Sequence, residues 1–146
     1  MKSQSSGGYL ISKINQVSGR IFNKLLREHE IEINRAQGKI MFTLWKKDGI
    51  TIKELAKATS LSKSTMTPML DRLETMGYIK RVPSKTDRRT ILIERTEKDK
   101  KMQEVYNAVS KEMTEISYKD FTADEIEKFE KYLERVFDNF NTNESK

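Results

Sequence analysis

Apolar residues recur with helical spacing along most of this chain. In the first thirty residues they return every three or four positions, at Leu10, Ile14, Val17, Ile21 and Leu25. This spacing places their side chains along one side of an α-helix and predicts an amphipathic helix from about residue 9 to residue 29. The same periodicity continues in five later segments, so the chain is predicted to be mainly helical.

Each of these five segments follows a side chain that is able to cap a helix. A Ser, Thr or Asn oxygen at such a position accepts a hydrogen bond from a backbone N–H that has no partner within the helix. The capping residues are Asn34, Thr51, Ser62, Thr96 and Thr122. Thr51 and Thr122 are followed three residues later by Glu, which completes a capping box. These signals predict where five helices begin.

The helical pattern is interrupted between residues 78 and 96. Segments 78–83 and 90–95 are short and rich in β-prone residues, and the polar run 84–89 separates them. They predict a β-hairpin with a charged tip. The predicted fold is therefore mainly α (α+β), with four helices, a hairpin and two helices. Three helices followed by a hairpin is the order of a winged helix-turn-helix, which has one helix before it here and two after it.

Residues 51–76 carry a pattern that is typical of DNA binding. Two short helices are joined by the tight link 59–61, as in a helix-turn-helix. On the second helix Met66, Leu70 and Leu73 share one face, which is predicted to be the core side. The opposite face carries the candidate DNA contacts, which are Ser62, Ser64, Thr65, Thr67, Pro68 and Arg72. Small hydroxyls near the start of a recognition helix allow a close approach to base edges and phosphates. The alternative is an ordinary amphipathic helix whose polar face meets solvent.

Pro68 is unusual inside a predicted helix. Proline has no N–H and its ring crowds the carbonyl four residues earlier, at a cost of about 3 kcal/mol. One interpretation is a local kink in the helix. The other is that the apolar ring lies in the major groove near a thymine methyl group. The sequence leaves both open.

The predicted hairpin tip carries three cations, Lys85, Arg88 and Arg89, beside Asp87. A purely structural turn needs only Gly, Asn or Asp. Guanidinium groups on a projecting loop suit a narrow, electronegative minor groove and the phosphates that flank it. The tip therefore predicts a second DNA contact, and a solvated charged turn is the alternative.

The distribution of charge agrees with a polyanionic partner. The chain carries a net charge of +6. Residues 1–96 contain 19 Lys and Arg against 9 Asp and Glu, a net of +10, whereas residues 97–146 contain 9 against 13, a net of −4. A basic body joined to an acidic segment suggests a polyanion-binding part and a part with other duties. A mildly basic globule without a special partner is the alternative.

Composition also excludes several classes of chemistry. The chain has no cysteine, which rules out disulfides, thiol nucleophiles and thiol-based redox sensing. Its polar start has no apolar segment of a secretory signal, and no stretch is apolar enough to span a membrane, so a cytoplasmic location is expected. His29 is the only histidine and is expected to cap a helix or to be exposed, so no metal is predicted. No catalytic constellation appears, so we predict no enzymatic activity and no cofactor.

Four aromatic residues are candidates for a ligand cleft. Phe22, Trp45, Tyr106 and Tyr118 are spread along the predicted helices. They could line a pocket for a small aromatic or other organic effector between the DNA-binding body and the flanking helices. Core packing explains most of them more simply, and an effector pocket is the alternative.

Four segments resemble the multiple-antibiotic-resistance regulator (MarR) family, and the resemblance covers nearly the whole chain. Residues 62–74 resemble the recognition helix of that family, and residues 77–81 resemble the turn into its wing. Asp87-Arg88-Arg89 is similar to its Asp-x-Arg wing motif, and residues 91–96 resemble the second wing strand with the following helix cap.

The resemblance implies a transcription regulator, usually a repressor, that binds a pseudo-palindromic duplex operator as an obligate homodimer. It places a winged helix-turn-helix DNA-binding domain over residues 31–96. Residues 1–30 and 97–146 would form a helical dimerisation region. Release by a small-molecule effector would fit such a regulator. The alternative is a winged-helix module that serves protein assembly without specific DNA binding.

The resemblance also assigns roles to single residues. Arg89 would be inserted into the minor groove, and Asp87 would hold the wing in place through Arg72. One departure from the family is Asp99, three residues after Thr96, where the family often has Gly. An anion there is expected to be tolerated, because the helix dipole favours negative charge in the first turn.

A second departure concerns redox sensing. The pair Thr67-Pro68 is most similar to the organic-hydroperoxide-sensing branch of the family, yet the N-terminal cysteine of that branch is absent. Thiol sensing by this chain is therefore excluded.

Overall fold

Six helices and three short strands make up residues 5–146, the part of the chain that this computed structural model describes. Residues 1–4, which begin the predicted dimerisation region 1–30 and the polar start of the chain, lie outside the described residues. The elements are α1 (Gly7–Glu28), α2 (Arg35–Lys46), β1 (Ile50–Thr51), α3 (Ile52–Thr59), α4 (Lys63–Thr75), β2 (Ile79–Pro83), β3 (Ile91–Arg95), α5 (Glu97–Ser117) and α6 (Ala123–Glu144). The predicted order of helices and hairpin, and the winged helix-turn-helix fold, are confirmed.

The five helices α2 to α6 begin at the positions that the capping side chains predicted. Asn34, Thr51 and Thr122 each form a complete capping box, with hydrogen bonds in both directions between the cap and the third residue of the helix. Ser62 Oγ accepts a hydrogen bond from the backbone N–H of the third residue of α4, at 3.1 Å. Thr96 Oγ1 accepts one from the N–H of the third residue of α5, at 3.3 Å. Local side-chain chemistry therefore sets these helix starts.

A third strand, β1, was not predicted. It pairs antiparallel with β3, so that the sheet has the order β1-β3-β2 and β3 lies in the centre. Ile93 lies opposite Ile50 on one side and opposite Arg81 on the other, and it is fully buried. A strand of two residues is too short to show an alternating pattern, which explains why sequence periodicity did not reveal it.

The predicted core face of α4 is confirmed. Met66, Leu70 and Leu73 are fully buried, together with Leu55 from α3. The turn between α3 and α4 is tight because Ser60 adopts a left-handed conformation, with φ 61°. The shared core and the tight turn hold the two helices of the helix-turn-helix in one arrangement.

Helix α5 approaches α2 closely at Gly38. The ring of Tyr106 lies over this glycine, and a Cβ atom added there would collide with the ring. Tyr106 also packs edge-on against Phe22 of α1 and Trp45 of α2, with ring centroids 5.5 and 5.1 Å away. The absence of a side chain at Gly38 therefore allows an aromatic cluster between α1, α2 and α5.

Gly38→Ala is expected to lower the free energy of unfolding by about 1–3 kcal/mol, because the added methyl group forces the buried Tyr106 ring to move. Gly8→Ala is the matched control, since Gly8 also lies in a helix and its added Cβ meets no atom within 4 Å. Alanine has the higher helix propensity, so the control should be neutral or slightly stabilising. Urea denaturation of both variants measures the difference. Equal stabilities would contradict the close approach.

The chain divides into two compact units, the first ending at Ser110 and the second covering Lys111–Lys146. In the second unit no residue of α6 is buried. Its exposed apolar residues are Phe129, Tyr132, Leu133, Val136, Phe137 and Phe140. In the first unit α1 also exposes an apolar face, made of Tyr9, Leu10, Ile11, Ile14, Val17 and Ile21. Among the helices of residues 5–146, none is both long and apolar enough to cross a membrane.

Candidate nucleic-acid interface

The polar face of α4 is open to solvent along its whole length. Ser64, Thr65, Thr67, Pro68 and Arg72 are all exposed, whereas the opposite face of the helix is buried. The exposed hydroxyls lie in the first two turns, where a recognition helix meets base edges. The chain therefore presents its predicted candidate contacts together on one surface.

Ser62 and Thr67 also have partners within the protein. Ser62 Oγ caps α4 and lies 2.9 Å from Thr65 Oγ1 and 3.1 Å from Ser64 Oγ. Thr67 Oγ1 donates to the carbonyl of Lys63 at 2.8 Å. These bonds hold the hydroxyls in fixed positions. They also mean that replacing Ser62 would remove a helix cap as well as any contact outside the chain.

Pro68 lies inside α4 without ending it, because the helix continues to Thr75. The helix tolerates the missing N–H since its start is capped and its core face is fully buried. The Pro68 ring is exposed on the same side as the hydroxyls. It adds an apolar group to an otherwise polar surface.

The wing tip is a compact turn built around Asp87. The Asp87 carboxylate accepts hydrogen bonds from the backbone N–H of Arg89 at 3.1 Å and from Thr90 Oγ1 at 3.2 Å. Ser84 N donates to the carbonyl of Thr90 at 2.8 Å and closes the loop. The Arg89 side chain is 96% exposed, and its Nε lies 3.8 Å from Asp87. The turn thus presents the guanidinium to solvent.

The prediction that Asp87 contacts Arg72 is wrong. The hydrogen-bonding partners of Asp87 come from its own loop, as described above. Arg72 instead borders a surface depression of about 260 Å³ near the link between α1 and α2, with Arg27 and Glu32 among its other lining residues. The acid of the wing motif therefore stabilises its own turn rather than joining the wing to the recognition helix.

Arg81 joins the wing to the recognition helix, and sequence reasoning missed it. Its Nη1 lies 2.7 Å from Glu74 Oε1, and its Nη2 lies 2.9 Å from Asp71 Oδ1. Its backbone N–H also donates to Glu74, at 3.3 Å. The sequence signal that could have revealed this contact is a pair of acids three residues apart on α4, followed by an arginine on the first wing strand.

Several cations around α3, α4 and the wing are not paired with any acidic residue in the part of the chain that the structure describes. Lys57, Lys63, Lys85 and Arg88 are exposed and form no ion pair with any described residue. Free cations on a surface that also carries the recognition helix give it a positive potential. Such a surface attracts polyanions and releases their counterions on binding.

A cavity of about 840 Å³ lies behind the start of α4, within the first unit. Its wall includes residues from α1, α2, α4 and α5, among them Phe22, Arg35, Thr65 and Tyr106. Burial raises the pKa of Tyr106 to about 12, so its hydroxyl stays neutral at physiological pH. Two of the four predicted aromatic residues therefore border this cavity, and it touches a candidate DNA contact.

The other two aromatic residues are used elsewhere. Trp45 Nε1 donates to the buried carboxylate of Asp99, at 3.0 Å. Tyr118 belongs to the second unit, where its hydroxyl donates to Glu130 at 2.6 Å and its ring packs against Phe121 and Phe129. Neither residue lines the cavity.

His29 takes the capping position that was expected for it. It is the C-cap residue of α1, and its Nδ1 lies 2.9 Å from the carbonyl oxygen of Leu25. Within residues 5–146 no cluster of three His, Cys, Asp or Glu side chains could hold a metal ion.

Comparison with known proteins identifies the family. The sequence profile of the MarR family matches residues 33–91. The multiple antibiotic resistance protein MarR of Escherichia coli (strain K12) is 31% identical over 130 residues, which are 88% of this chain and 89% of that protein.

Solved structures agree with this match. The crystal structure of a mutant of E. coli MarR complexed with operator DNA has a TM-score of 0.79 and 31% identity, covering 88% of this chain and 91% of that one. A MarR protein from Peptoclostridium difficile DA00132 has a TM-score of 0.88 at 21% identity, covering 98% of this chain and 93% of that one, which shows likeness of fold. The chain therefore belongs to the MarR family of winged helix-turn-helix transcription regulators.

Proposed function

We propose that this protein binds a specific duplex operator as a homodimer and represses transcription. The observation that carries the proposal is the exposed polar face of α4 beside a wing tip that presents Arg89 to solvent. The relative whose structure contains operator DNA shares this fold at 31% identity. Membership of a family of transcription regulators supports a cytoplasmic location and a binding role rather than an enzymatic one.

In this proposal α4 enters the major groove and the wing enters the adjacent minor groove. Ser64, Thr65 and Pro68 lie where a recognition helix meets base edges. Arg89 takes the narrow minor groove, whose negative potential attracts a guanidinium. Lys57 contacts phosphates, which position the protein without reading sequence. Residues 31–96 form the DNA-binding domain.

The proposed homodimer uses the apolar faces that each unit leaves exposed. Residues 1–30 and 97–146 provide them, through α1 and α6. Tyr9 is 68% exposed and Phe140 is 70% exposed, and each lies in a row of exposed apolar residues. Contiguous apolar patches of this kind mark interaction sites. A two-fold dimer presents two copies of α4, so its operator should be pseudo-palindromic with half-sites about 34 Å apart.

The cavity behind α4 is the proposed effector site. Its aromatic wall and its cations suit a small aromatic or other organic molecule. Because Thr65 borders the cavity, an occupant would act on the recognition helix directly.

Selection of bound fragments from a genomic DNA library tests the proposal and identifies the operator. Fragments that share a pseudo-palindromic motif are the expected result, with the protein added at physiological salt. Uniform recovery of all fragments, or no recovery, would contradict sequence-specific binding. That outcome would favour a winged-helix module for protein assembly.

Ser64→Ala is expected to change which bases are preferred at one position of each half-site. The Ser64 hydroxyl is exposed and does not cap the helix, so its loss should leave stability within about 0.5 kcal/mol. Loss of one base contact costs about 1–3 kcal/mol of discrimination. Repeating the selection with the variant measures this change. An unchanged motif would show that Ser64 does not read a base.

A further inference from the structure

Asp99 is a fully buried carboxylate in the first turn of α5, with 0% exposure. Its two oxygens share one bifurcated hydrogen bond from the single indole N–H of Trp45, whose Nε1 lies 3.0 and 3.1 Å from them. Arg95 Nε donates to the same carboxylate at 2.5 Å. Among residues 5–146 no buried side-chain N or O atom lacks a hydrogen-bond partner. The site is a closed polar cluster inside the first unit.

Arg95 is the last residue of the wing strand β3, and it is anchored at both its side chain and its backbone. Its Nη2 donates to Gln103 Oε1 at 2.5 Å, one turn further along α5. Its backbone N–H donates to Asp48 Oδ1 at 2.9 Å, in the turn before β1. Asp48 also accepts from the N–H of Gly49. The wing strand is thus fastened to α5 and to the α2–β1 turn at one point.

A second bond at the same place reaches the turn that leads into the other wing strand, β2. Thr96 Oγ1 donates to the carbonyl of Gly77, at 2.6 Å, in the turn between α4 and β2. Gly77 has φ +87°, a backbone conformation that is unfavourable for a residue with a side chain. The end of the recognition helix, both wing strands and the start of α5 therefore meet at the base of the wing.

Stability alone does not explain this cluster. A buried ion pair loses about as much free energy by desolvation as it gains by attraction, so an apolar pair of similar volume is often as stable. What a directional charged pair adds is a defined geometry, since its bonds are satisfied only at one relative orientation of β3 and α5.

We propose that Arg95 and Asp99 are positioning residues that set the angle of the wing relative to the recognition helix and so place Arg89 for DNA binding. The proposal rests on the DNA-binding function proposed above. The distance from Arg95 to the far end of β3 is about 13 Å, because each residue of a strand adds about 3.3 Å. A rotation of about 10° at the base therefore moves the tip by about 2 Å, which is enough to misplace a contact in a narrow groove.

Asp99 was expected to be merely tolerated as an anion in the first helical turn. The structure instead gives its carboxylate two side-chain donors, Trp45 and Arg95, and the helix dipole adds to its stability there.

The main test is the double variant Arg95→Met/Asp99→Asn. It removes both charges, so no unpaired charge stays buried, and the new amide oxygen can still accept from Trp45. We expect it to remain folded and to bind the duplex recovered in the selection about tenfold more weakly. The matched control is Glu97→Gln/Lys100→Met, which removes an exposed ion pair of 2.9 Å from the same turn. The control should bind as the wild type does.

A mutant cycle that combines Arg89→Ala with Arg95→Met/Asp99→Asn separates positioning of the wing from a general loss of stability. If the cluster acts through Arg89, adding Arg89→Ala to the Arg95→Met/Asp99→Asn background causes no further loss of affinity. If the two losses of affinity multiply to about a hundredfold, the proposal is overturned. Wild-type affinity of the Arg95→Met/Asp99→Asn variant would overturn it as well.

If the Arg95→Met/Asp99→Asn variant does not fold, Gln103→Ala removes only the outer bond to Arg95. It should then weaken binding about threefold, again without additivity, and an unchanged affinity would overturn the proposal.

A measurement without DNA keeps this test independent of the proposed function. The chain has no cysteine, so Lys57→Cys on α3 and Lys85→Cys at the wing tip can carry two spin labels. Excess unlabelled chain limits any dimer to one labelled copy. The electron–electron distance distribution should be narrow with Arg95 and Asp99 present and broader in their double variant. Equal widths would overturn wing positioning, whereas failure of the wild type to select any operator would overturn only the DNA-binding proposal.

Discussion

Replacing Leu133 with Glu on α6 is expected to convert the proposed homodimer to a monomer of 17.1 kDa. Leu133 lies among the exposed apolar residues of α6, so the change removes little packing within the chain. In a dimer the same carboxylate would be buried without a partner, at a cost of several kcal/mol. Operator affinity should fall about a hundredfold or more, because two linked recognition helices become two separate ones.

Sedimentation equilibrium measures the mass, and a titration with the selected operator measures the affinity. The matched control is Thr142→Glu, which adds the same charge to an exposed position of α6 about half a turn away from the apolar face. It should remain dimeric. A wild-type chain that sediments at 17.1 kDa would contradict the dimer itself.

Arg89→Ala should weaken operator binding about tenfold and leave the fold intact. The side chain is 96% exposed at the wing tip, so its loss removes no core packing. Its proposed contact is electrostatic, and the slope of log affinity against log salt should become shallower by about one unit. Because the contact senses groove width more than base identity, sequence preference should relax only slightly.

Titrations at three salt concentrations, with a thermal melt alongside, separate affinity from stability. Lys111→Ala is the control, since it removes one exposed positive charge far along the sequence from the wing. A similar loss of affinity in both variants would point to net charge alone. If Arg89→Ala kept the affinity and salt slope of the wild type, the wing would not enter the groove.

Sequence reasoning succeeded where the deciding interactions are local. The starts of α2, α3 and α6 depend on a side chain and a backbone N–H three residues apart, and each capping box formed as predicted. The core face of α4 followed from helical spacing for the same reason. Leu70 and Leu73 point inward together because residues three apart lie on the same side of a helix that has 3.6 residues per turn.

Sequence reasoning failed where partners are distant along the chain. The acid of the wing motif was assigned to Arg72, whereas Asp87 bonds within its own loop. Arg81 makes the contact with the recognition helix instead, and it was not singled out. Many charged side chains could satisfy either role, and spacing along the chain does not choose among them.

The helices, the hairpin, the polar face of α4 and the cationic tip of the wing could all be predicted from the sequence, because periodicity, capping and turn chemistry act over a few residues. The addition of β1 to the sheet and the burial of Asp99 against Arg95 and Trp45 became visible only in the folded chain. Trp45 and Asp99 are 54 residues apart. Which groups meet over such a distance depends on how the helices and the sheet pack, and that packing is set by the whole core rather than by any local pattern.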